Sequence, residues 1–292
     1  MPRRGHVYIG ISGWNYPSWR GVFYPKGLPQ KQELAHASHT FESIEVNGSF
    51  YSLLRPERVI QWYEATPEGF VFSIKGSRFI THLKRLRDIE TPLANFFASG
   101  VLALRDKLGP ILWQLPPSTS FDPARLAYFF DQLPRTTHAA AAMARKHDHR
   151  LKSRAYLRPH DDRPISYALE VRHPTFDDPA FLALLRKYDI ALCIADTAGR
   201  FPYLEGVTSN FVYVRLHGDT KLYESGYSRR ALRTWAERIA RWQRVLRGGD
   251  AYVYFDNDAK VRAPFDACSL RTICDDGILR PSDGTFRECP AP

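Results

Sequence analysis

The chain has 292 residues, of which 25% are charged and 44% hydrophobic. This composition is typical of a soluble globular protein and excludes a disordered or collagen-like chain. No stretch approaches the roughly 20 apolar residues that a membrane span needs, so we expect no membrane partner. A net charge of +10 favours acidic partners without identifying one. The N-terminal residues show no secretory signal pattern, and we therefore expect a cytoplasmic protein.

Eight short apolar runs, each ending in a polar or charged residue, divide the sequence. Most are rich in Val, Ile, Tyr and Phe, which is typical of strands buried on both faces. The runs are His6–Ser12, Ser43–Asn47, Phe70–Lys75, Pro110–Gln114, Ser166–Arg172, Ile190–Asp196, Phe211–His217 and Ala251–Asn257. Eight such units predict a single domain over 1–292 with an α/β fold, a closed parallel (β/α)₈ barrel of the TIM type with outer helices.

The segments between the first four runs predict helices and two unusual loops. An aromatic loop at 13–25 follows the first run, and a helix is expected over Gln30–His39. The next helix begins near Pro56, because proline suits the first helical turn. A cation-rich loop covers Gly76–Asp88, and one helix is expected from Pro92 to about Lys107.

The second half of the chain contains the clearest helix and two irregular segments. Asp122 is expected to cap a helix that begins at Pro123. Residues 135–164 are rich in Arg and Lys and predict a surface insertion. Leu and Trp recur at helical spacing over Ser228–Arg247, which predicts an amphipathic outer helix. Residues 277–292 are expected to form a loosely attached C-terminal strap.

The four cysteines contain no C-x-x-C pair, and we expect them to be free and mostly buried thiols in a reducing compartment. They are Cys193, Cys268, Cys274 and Cys289.

Polar residues two positions apart lie near the ends of four runs. Strand residues with this spacing share a face, and unpaired charges are costly against a helix layer. We therefore expect these side chains to point into the barrel at the carboxyl ends of the strands, where TIM barrels place active sites. The pairs are Glu45 with Asn47, Ser73 with Lys75, Glu170 with Arg172, and Arg215 with His217.

These strand ends and the adjoining loops supply the candidate site. Potential cationic donors outnumber carboxylates there, which favours an anionic ligand such as phosphate, carboxylate or a nucleic-acid backbone. The predicted catalytic residues are Glu45, Glu170 and His217. The predicted ligand-binding residues are Trp14, Tyr16, Asn47, Tyr51, Lys75, Arg78, His82, Gln114, Arg172, Asp196, Arg215 and Asn257. Two alternatives stay open. One is a closed salt-bridge network that plugs the barrel, in which Arg172 pairs with Glu170 and Arg215 with Glu45. The other is that the aromatic side chains serve as lids.

A metal site is a weaker hypothesis. The carboxylates and histidines at the strand ends could surround a divalent ion, but no H-E-x-x-H spacing occurs and nearby cations would repel a metal. We therefore predict no metal ligands, and the pattern indicates no particular cofactor. The Walker phosphate loop, the dinucleotide-binding glycine fingerprint and the G-x-S-x-G nucleophile elbow are all missing.

Several segments together resemble a known family. They are ISGWNYPSWRGVFYP at 11–25, EVNGSFY at 45–51, FSIKGSRFITH at 72–82, LWQLPP at 112–117, EVRH at 170–173, YVRLHG at 213–218 and YFDND at 254–258. In order and spacing they are similar to the YecE-like family, also called domain of unknown function 72. The resemblance implies a TIM-barrel-like fold and no established activity. Asp256 and Asp266 occupy positions where the family more often has Asn.

The resemblance also bears on function, because the family's barrel is similar to those of the xylose-isomerase and endonuclease-IV group. By fold analogy, this implies a nucleic-acid or sugar-phosphate ligand. Our leading hypothesis is a metal-independent hydrolase or lyase acting on a phosphate-containing anion, with an anionic small molecule or nucleic acid as partner. The alternatives are a non-catalytic nucleic-acid-binding protein and a metal-dependent phosphodiesterase. The sequence does not predict the oligomeric state.

Overall fold

All eight predicted strands form, with their ends within two residues of the expected positions. The computed structural model describes residues 5–151 and 154–275. The strands are β1 (Val7–Ser12), β2 (Ser43–Val46), β3 (Val71–Lys75), β4 (Leu108–Gln114), β5 (Tyr167–Glu170), β6 (Ala191–Asp196), β7 (Val212–Leu216) and β8 (Ala251–Phe255). They follow one another around a closed, all-parallel barrel in sequence order. The predicted (β/α)₈ fold is therefore confirmed.

Helices separate most of the strands, as expected for a barrel of this class. They are α1 (Glu33–Thr40), α2 (Gly48–Tyr51), α3 (Pro56–Glu64), α4 (Glu90–Ala98), α5 (Pro123–Gln132), α6 (Thr137–Ala144), α7 (Pro179–Lys187), α8 (Arg229–Leu246) and α9 (Ala263–Ile273). The cation-rich loop after β3 contains a turn of π-helix, Phe79–Leu83, which the sequence pattern did not predict.

The capping chemistry explains where several helices begin. The Asp122 carboxylate accepts a hydrogen bond from the Arg125 backbone N–H at 3.0 Å, as the sequence predicts for the start of α5. Ser228 caps α8 in the same way, accepting from the Ala231 N–H at 3.2 Å. The apolar stripe of α8, which includes Trp235, is buried. The long predicted helix over this segment is thus confirmed.

The prediction of one continuous helix from Pro92 to Lys107 is wrong. Helix α4 ends at Ala98, and a separate 3₁₀ helix covers Val101–Lys107. Between them, Gly100 has a φ of 113°, a backbone conformation that interrupts a right-handed helix and that L side chains rarely adopt. A Cβ atom at Gly100 would also lie 2.9 Å from the Pro56 Cα atom. Apolar periodicity does not reveal such a break.

The described residues group into two compact units. One contains the described residues of Met1–Glu45 and Ala191–Pro292, and the other contains those of Val46–Ile190. The basic insertion at 135–164 belongs to the second unit and carries α6, and the Thr137 N–H donates to the Arg163 carbonyl at 2.9 Å across its base. The predicted strap at 277–292 lies outside the described residues.

The cysteines differ from the expectation of four free thiols. Cys268, on α9, is disulfide-bonded, so the prediction is wrong for that residue. Cys274 is a buried thiol, and burial raises its pKa to about 12. Within the described part of the chain, none of the helices is long and apolar enough to cross a membrane.

Gly76, immediately after β3, packs against the buried indole ring of Trp113. A Cβ atom at Gly76 would lie 2.1 Å from this ring. We expect Gly76→Ala to lower the free energy of unfolding by about 1–3 kcal/mol, because the indole cannot move without disturbing the core. Gly48→Ala is the control, since nothing lies within 4 Å of a Cβ atom there. Urea unfolding checks this prediction, and equal stabilities of the two variants would contradict it.

Candidate functional site

The guanidinium group of Arg215 is the centre of a buried polar network in the first unit. Arg215 lies on β7 and is completely buried. Its Nη2 atom donates to Glu45 Oε1 at 2.8 Å and to Asp256 Oδ2 at 2.7 Å, and its Nε atom lies 3.1 Å from Glu45 Oε2. One buried cation is therefore held between two carboxylates. We call Ser12, Glu45, Tyr213, Arg215, His217 and Asp256 the Arg215 network.

Glu45 is satisfied by neutral donors as well as by Arg215. Its Oε1 atom accepts a short hydrogen bond from the Ser12 hydroxyl, and its Oε2 atom accepts from the Tyr213 hydroxyl at 2.6 Å. Both donors are buried. A buried ion pair stabilises the fold only when such additional hydrogen bonds complete it. This geometry favours the salt-bridge network among the alternatives for Glu45 and Arg215.

Extensions of the strand ladders place the members of this network. The Gly13 N–H donates to the Glu45 carbonyl at 2.8 Å, continuing the pairing of β1 with β2. The Asp256 N–H donates to the Leu216 carbonyl at 2.9 Å, which continues the pairing of β7 with β8 by one residue. Asp256 is thereby fixed beside the guanidinium group by backbone hydrogen bonds rather than by a loop conformation.

His217 belongs to the same network. Its Nδ1 atom lies 3.0 Å from Asp256 Oδ2, and its Nε2 atom lies 3.3 Å from the Nη1 atom of Arg215. The imidazole is fully buried, and its ring meets that of Tyr223 edge to face at 5.3 Å. The 3.0 Å separation between this imidazole and the Asp256 carboxylate is within the range of proton transfer. The predicted catalytic role of His217 stays a prediction.

Asp258 has an unusual carboxyl group. Its Oδ1 atom is buried and has no hydrogen-bond partner within the described residues. Burial, together with the negative charge of Asp256, raises the pKa of Asp258 to about 7, while Tyr16 and Arg215 oppose this shift. Tyr16 also donates its hydroxyl to the Ser12 carbonyl at 2.6 Å. The aromatic loop therefore contacts the network through Tyr16.

A second group of carboxyl side chains lies on β6 and α9, where Asp196 is half-buried and Asp266 is buried. Asp196 accepts from the Tyr227 hydroxyl at 3.1 Å, and burial raises its pKa. Asp266 accepts from Asn257 Nδ2 at 2.7 Å and from the Tyr227 N–H at 3.1 Å, and burial raises its pKa to about 6. Asn257 Oδ1 is buried without a hydrogen-bond partner in the described structure. Asn257 and Asp196 thus hold Tyr227 and Asp266 in place.

The second unit contains a different charge arrangement, which we call the Lys75 cluster: Lys75, Arg78, His82, Glu170 and Arg172. Lys75 ends β3, and its Nζ atom lies 4.6 Å from the centre of the Phe50 ring. The imidazole of His82 meets the same ring edge to face at 5.1 Å. Phe50 therefore contacts both a cation and a histidine, and its π face stabilises the ammonium group.

Glu170 and Arg172 are paired, as their shared strand face predicts. The Nε and Nη2 atoms of Arg172 both lie 2.7 Å from Glu170 Oε1. Glu170 is completely buried, whereas the Arg172 side chain is 12% exposed. Glu170 also lies opposite Gln114 in the pairing of β5 with β4. The buried carboxylate therefore orients a guanidinium group that reaches the surface of this unit.

The pKa of His82 is lowered by burial and by the positive charge of this cluster. The pKa falls to about 4, with Lys75, Arg172 and Arg78 as the cations, while Glu170 opposes the effect. Three cations and one carboxylate thus act on one imidazole. His82 is neutral at pH 7, and its Nδ1 atom lies 2.9 Å from the Thr81 hydroxyl. The positive potential favours a negatively charged ligand.

The structure places the remaining predicted residues in different environments. Tyr51 is exposed, and the Arg78 guanidinium group lies 6.0 Å from the centre of its ring. Asn47 precedes α2, and its Oδ1 atom is buried without a hydrogen-bond partner in the described regions. Gln114 is buried on β4. Trp14 lies in the aromatic loop, and its backbone carbonyl accepts a short hydrogen bond from the Tyr24 hydroxyl. The binding roles of these four residues stay predictions.

Four participants in the Arg215 network and its surroundings were missed by the sequence reasoning: Ser12, Tyr213, Asp256 and Asp258. Signals for two of them were present. Tyr213 lies two positions before Arg215 in the same apolar run, and strand residues with this separation share a face. Ser12 is the polar residue that ends the first apolar run. Within residues 5–151 and 154–275, no group of three or more His, Cys, Asp or Glu side chains is placed to hold a metal ion.

Removal of the cation tests whether the Arg215 network stabilises the fold. We expect Arg215→Met to lower the free energy of unfolding by about 3–5 kcal/mol, because Glu45 and Asp256 then share a buried site without their cation. Adding Glu45→Gln should restore part of this loss by removing one charge. Arg233→Met, an exposed change on α8, is the control and should cost less than about 0.5 kcal/mol. Denaturant unfolding measures all three, and unchanged stability of Arg215→Met would refute the assignment.

The raised pKa of Asp258 predicts a pH dependence of stability. The native carboxyl group keeps its proton up to about pH 7, whereas the unfolded chain loses it near the ordinary pKa of 3.8. Between these values the unfolded chain binds fewer protons, so this group lowers stability by roughly 1.4 kcal/mol per unit of rising pH. Asp258→Asn should remove this decline, and its stabilising effect should therefore be larger at pH 8 than at pH 4.

Asp88→Asn is the matched control for that experiment, because the Asp88 side chain is 88% exposed. Thermal or chemical unfolding at several pH values provides the measurement. A pH-independent difference between wild type and Asp258→Asn would contradict the expectation.

The chain is similar in sequence to two curated proteins, both of which are named as UPF0759 proteins. The chain is 24% identical over 284 residues to the UPF0759 protein YunF of Bacillus subtilis, covering 87% of this chain and 89% of YunF. It is 28% identical to the UPF0759 protein YecE of Escherichia coli over 173 residues, which cover 58% of this chain and 50% of YecE. That match spans only about half the length of YecE.

Solved structures share the fold. A DUF72 family protein from Thermotoga maritima superposes with a TM-score of 0.74 at 25% identity, over 92% of this chain and 98% of that one. A DUF72 family protein from Enterococcus faecalis gives a TM-score of 0.72 at 17% identity, over 96% and 98% of the two chains. The model of the family described as "Protein of unknown function DUF72" matches residues 8–284. The chain therefore belongs to the DUF72 family, as its sequence motifs indicated.

Proposed function

We propose that the protein binds a phosphate-containing anion at the Lys75 cluster. The observation that carries this proposal is that Lys75 and His82 contact the same Phe50 ring, and that Arg78 lies beside the neighbouring Tyr51 ring. Burial and the positive charges of Lys75, Arg172 and Arg78 also lower the pKa of His82, against the opposing charge of Glu170. These cations come from the end of β3, from the turn that follows it and from the residues after β5. Residues from separate segments that meet at one point are a common feature of ligand sites on barrels.

The charge arrangement of the Lys75 cluster differs from that of the Arg215 network. Arg215 is completely buried between Glu45 and Asp256, whereas Arg78 is exposed and Arg172 reaches the surface. An anion can approach the exposed Arg78 and the partly exposed Arg172 without displacing a buried carboxylate. The cost of removing a ligand's charge from water is also lower at such a site. The Lys75 cluster is therefore the better of the two candidates for binding.

The roles within the cluster follow from its contacts. Arg172, oriented by Glu170, presents a fixed guanidinium group that suits two-pronged recognition of phosphate. Lys75 supplies a point charge held against Phe50. Neutral His82 is able to donate or accept one further hydrogen bond. In the hydrolase or lyase hypothesis, Glu170 is the candidate proton-transfer group, because it is the carboxylate of this cluster.

Phosphate affinity tests this proposal directly. We expect Lys75→Met and Arg78→Met each to weaken binding of inorganic phosphate about tenfold or more, which corresponds to roughly 1.4 kcal/mol. Met retains much of the length and apolar character of both side chains, so folding should be preserved. Lys146→Met is the control, because Lys146 is exposed on the basic insertion and carries the same charge. Isothermal titration calorimetry at fixed ionic strength gives the affinities. Equal losses in all three variants would indicate only a general charge effect and would reject the site.

The pKa of His82 provides a second measurement. A bound anion adds negative charge beside the imidazole, so phosphate should raise the His82 pKa from about 4 towards its ordinary value of 6.5. Histidine NMR titrations with and without phosphate follow this change. His138, an exposed histidine near Asp162, is the internal control and should shift much less. An unchanged His82 pKa at saturating phosphate would contradict binding at this cluster.

A further inference from the structure

We infer that the anion is a nucleotide, whose base stacks on Tyr51 while its phosphate contacts the Lys75 cluster. This inference rests on the proposed function and adds the chemical class of the ligand. Free nucleotides and the nucleotides of a single-stranded nucleic acid share this chemistry, and the experiments below distinguish the two sources.

The first observation is the exposure of Tyr51. Its side chain is 70% exposed, although it lies on α2 next to Phe50, which is buried. An exposed tyrosine on its own needs no explanation. Tyr51, however, adjoins the cations from which the proposed phosphate site is built.

The second observation is that neighbouring contacts hold the Tyr51 ring. The Phe50 and Tyr51 rings meet edge to face with their centres 5.0 Å apart. Phe50 also contacts both the Lys75 ammonium group and the His82 imidazole. The exposed ring is therefore connected to the Lys75 cluster through one buried ring, and α2 fixes the spacing between them. A stacking surface that is already ordered loses less conformational entropy when a ligand binds.

The third observation is the position of Arg78. Its guanidinium group lies 6.0 Å from the centre of the Tyr51 ring and is among the cations that lower the His82 pKa. Arg78 thus joins the aromatic surface to the positive charge. Aromatic rings and guanidinium planes are the groups on which proteins stack unpaired bases, and cations contact the adjacent phosphates. Inorganic phosphate has no face that stacks on the exposed ring, and a planar base covers more of that ring than a sugar does.

A comparison of three ligands separates the base from the phosphate. We expect adenosine monophosphate to bind wild type about tenfold more tightly than ribose 5-phosphate, because stacking adds to the phosphate contacts. Tyr51→Ala should remove that difference while leaving the affinity for inorganic phosphate unchanged. Tyr51→Phe should retain the difference, since the aromatic face is preserved. Tyr128→Ala is the control, because Tyr128 is a partly exposed tyrosine on α5 that hydrogen-bonds Glu90.

The outcomes are distinguishable from failure of the proposed function. If phosphate binds but adenosine monophosphate and ribose 5-phosphate have equal affinities, the nucleotide inference is wrong and the anion site stands. The same holds if Tyr51→Ala weakens all three ligands equally. If wild type binds none of the three, the proposed function itself is wrong. Circular dichroism and thermal unfolding confirm that each variant is folded before its affinities are compared.

The source of the nucleotide is tested with a short single-stranded oligonucleotide of mixed sequence. Tighter binding of the oligonucleotide than of the monophosphate, with a steep salt dependence, supports a nucleic-acid strand, because several phosphates release counterions. Equal or weaker binding of the oligonucleotide supports a free nucleotide. In either case Tyr51→Ala should reduce the affinity about tenfold or more, and an unchanged oligonucleotide affinity in this variant would overturn the inference.

Discussion

The buried ion pair between Arg215 and Glu45 is the interaction on which the first unit of this protein depends. A guanidinium group with no exposed surface loses its hydration, and only well-placed hydrogen bonds compensate for that loss. Here two carboxylates, a serine and a tyrosine supply them. Such a network is sensitive to the loss of any one member. Its members come from β1, β2 and β7 and from the residue after β8, so the network links these strands, and this geometry favours a structural role for Glu45 and Arg215.

The Lys75 cluster in the second unit has a different balance of charge, with more cations than carboxylates. Its cations act on His82 with less opposing carboxylate charge, and two of them reach solvent. Like charges that are held together lower the stability of the fold. Function often requires such destabilising arrangements, because a bound ligand of opposite charge offsets the repulsion. The contrast between the two sets of residues therefore bears on function. A network that satisfies itself suits a core, while a concentration of positive charge beside an exposed aromatic ring suits an anionic, aromatic ligand.

The pattern of residues along each strand predicted much of these two arrangements. Spacing of two positions correctly grouped Glu170 with Arg172 and Arg215 with His217, because alternate strand residues share a face. Tyr213 lies two positions before Arg215 on β7, so the same rule places its hydroxyl on the face where it donates a hydrogen bond to Glu45. Asp256 and Asp258 are different, since one lies just past a strand and the other in a turn. Only the backbone hydrogen bond from Asp256 to Leu216 decides that this carboxylate faces Arg215.

The sequence by itself determined the barrel, because eight buried strands require eight apolar runs at regular intervals, and such runs are a local property of the chain. It also determined which polar residues end those strands. The sequence left open whether Glu45 and Arg215 pair with each other or hold a ligand. Tertiary structure decided that they pair, since they are 170 residues apart and no local pattern links them. It likewise decided that α4 ends before Gly100, and that Phe50 contacts both Lys75 and His82. Long-range packing sets these contacts, and their energies depend on burial that a sequence pattern does not specify.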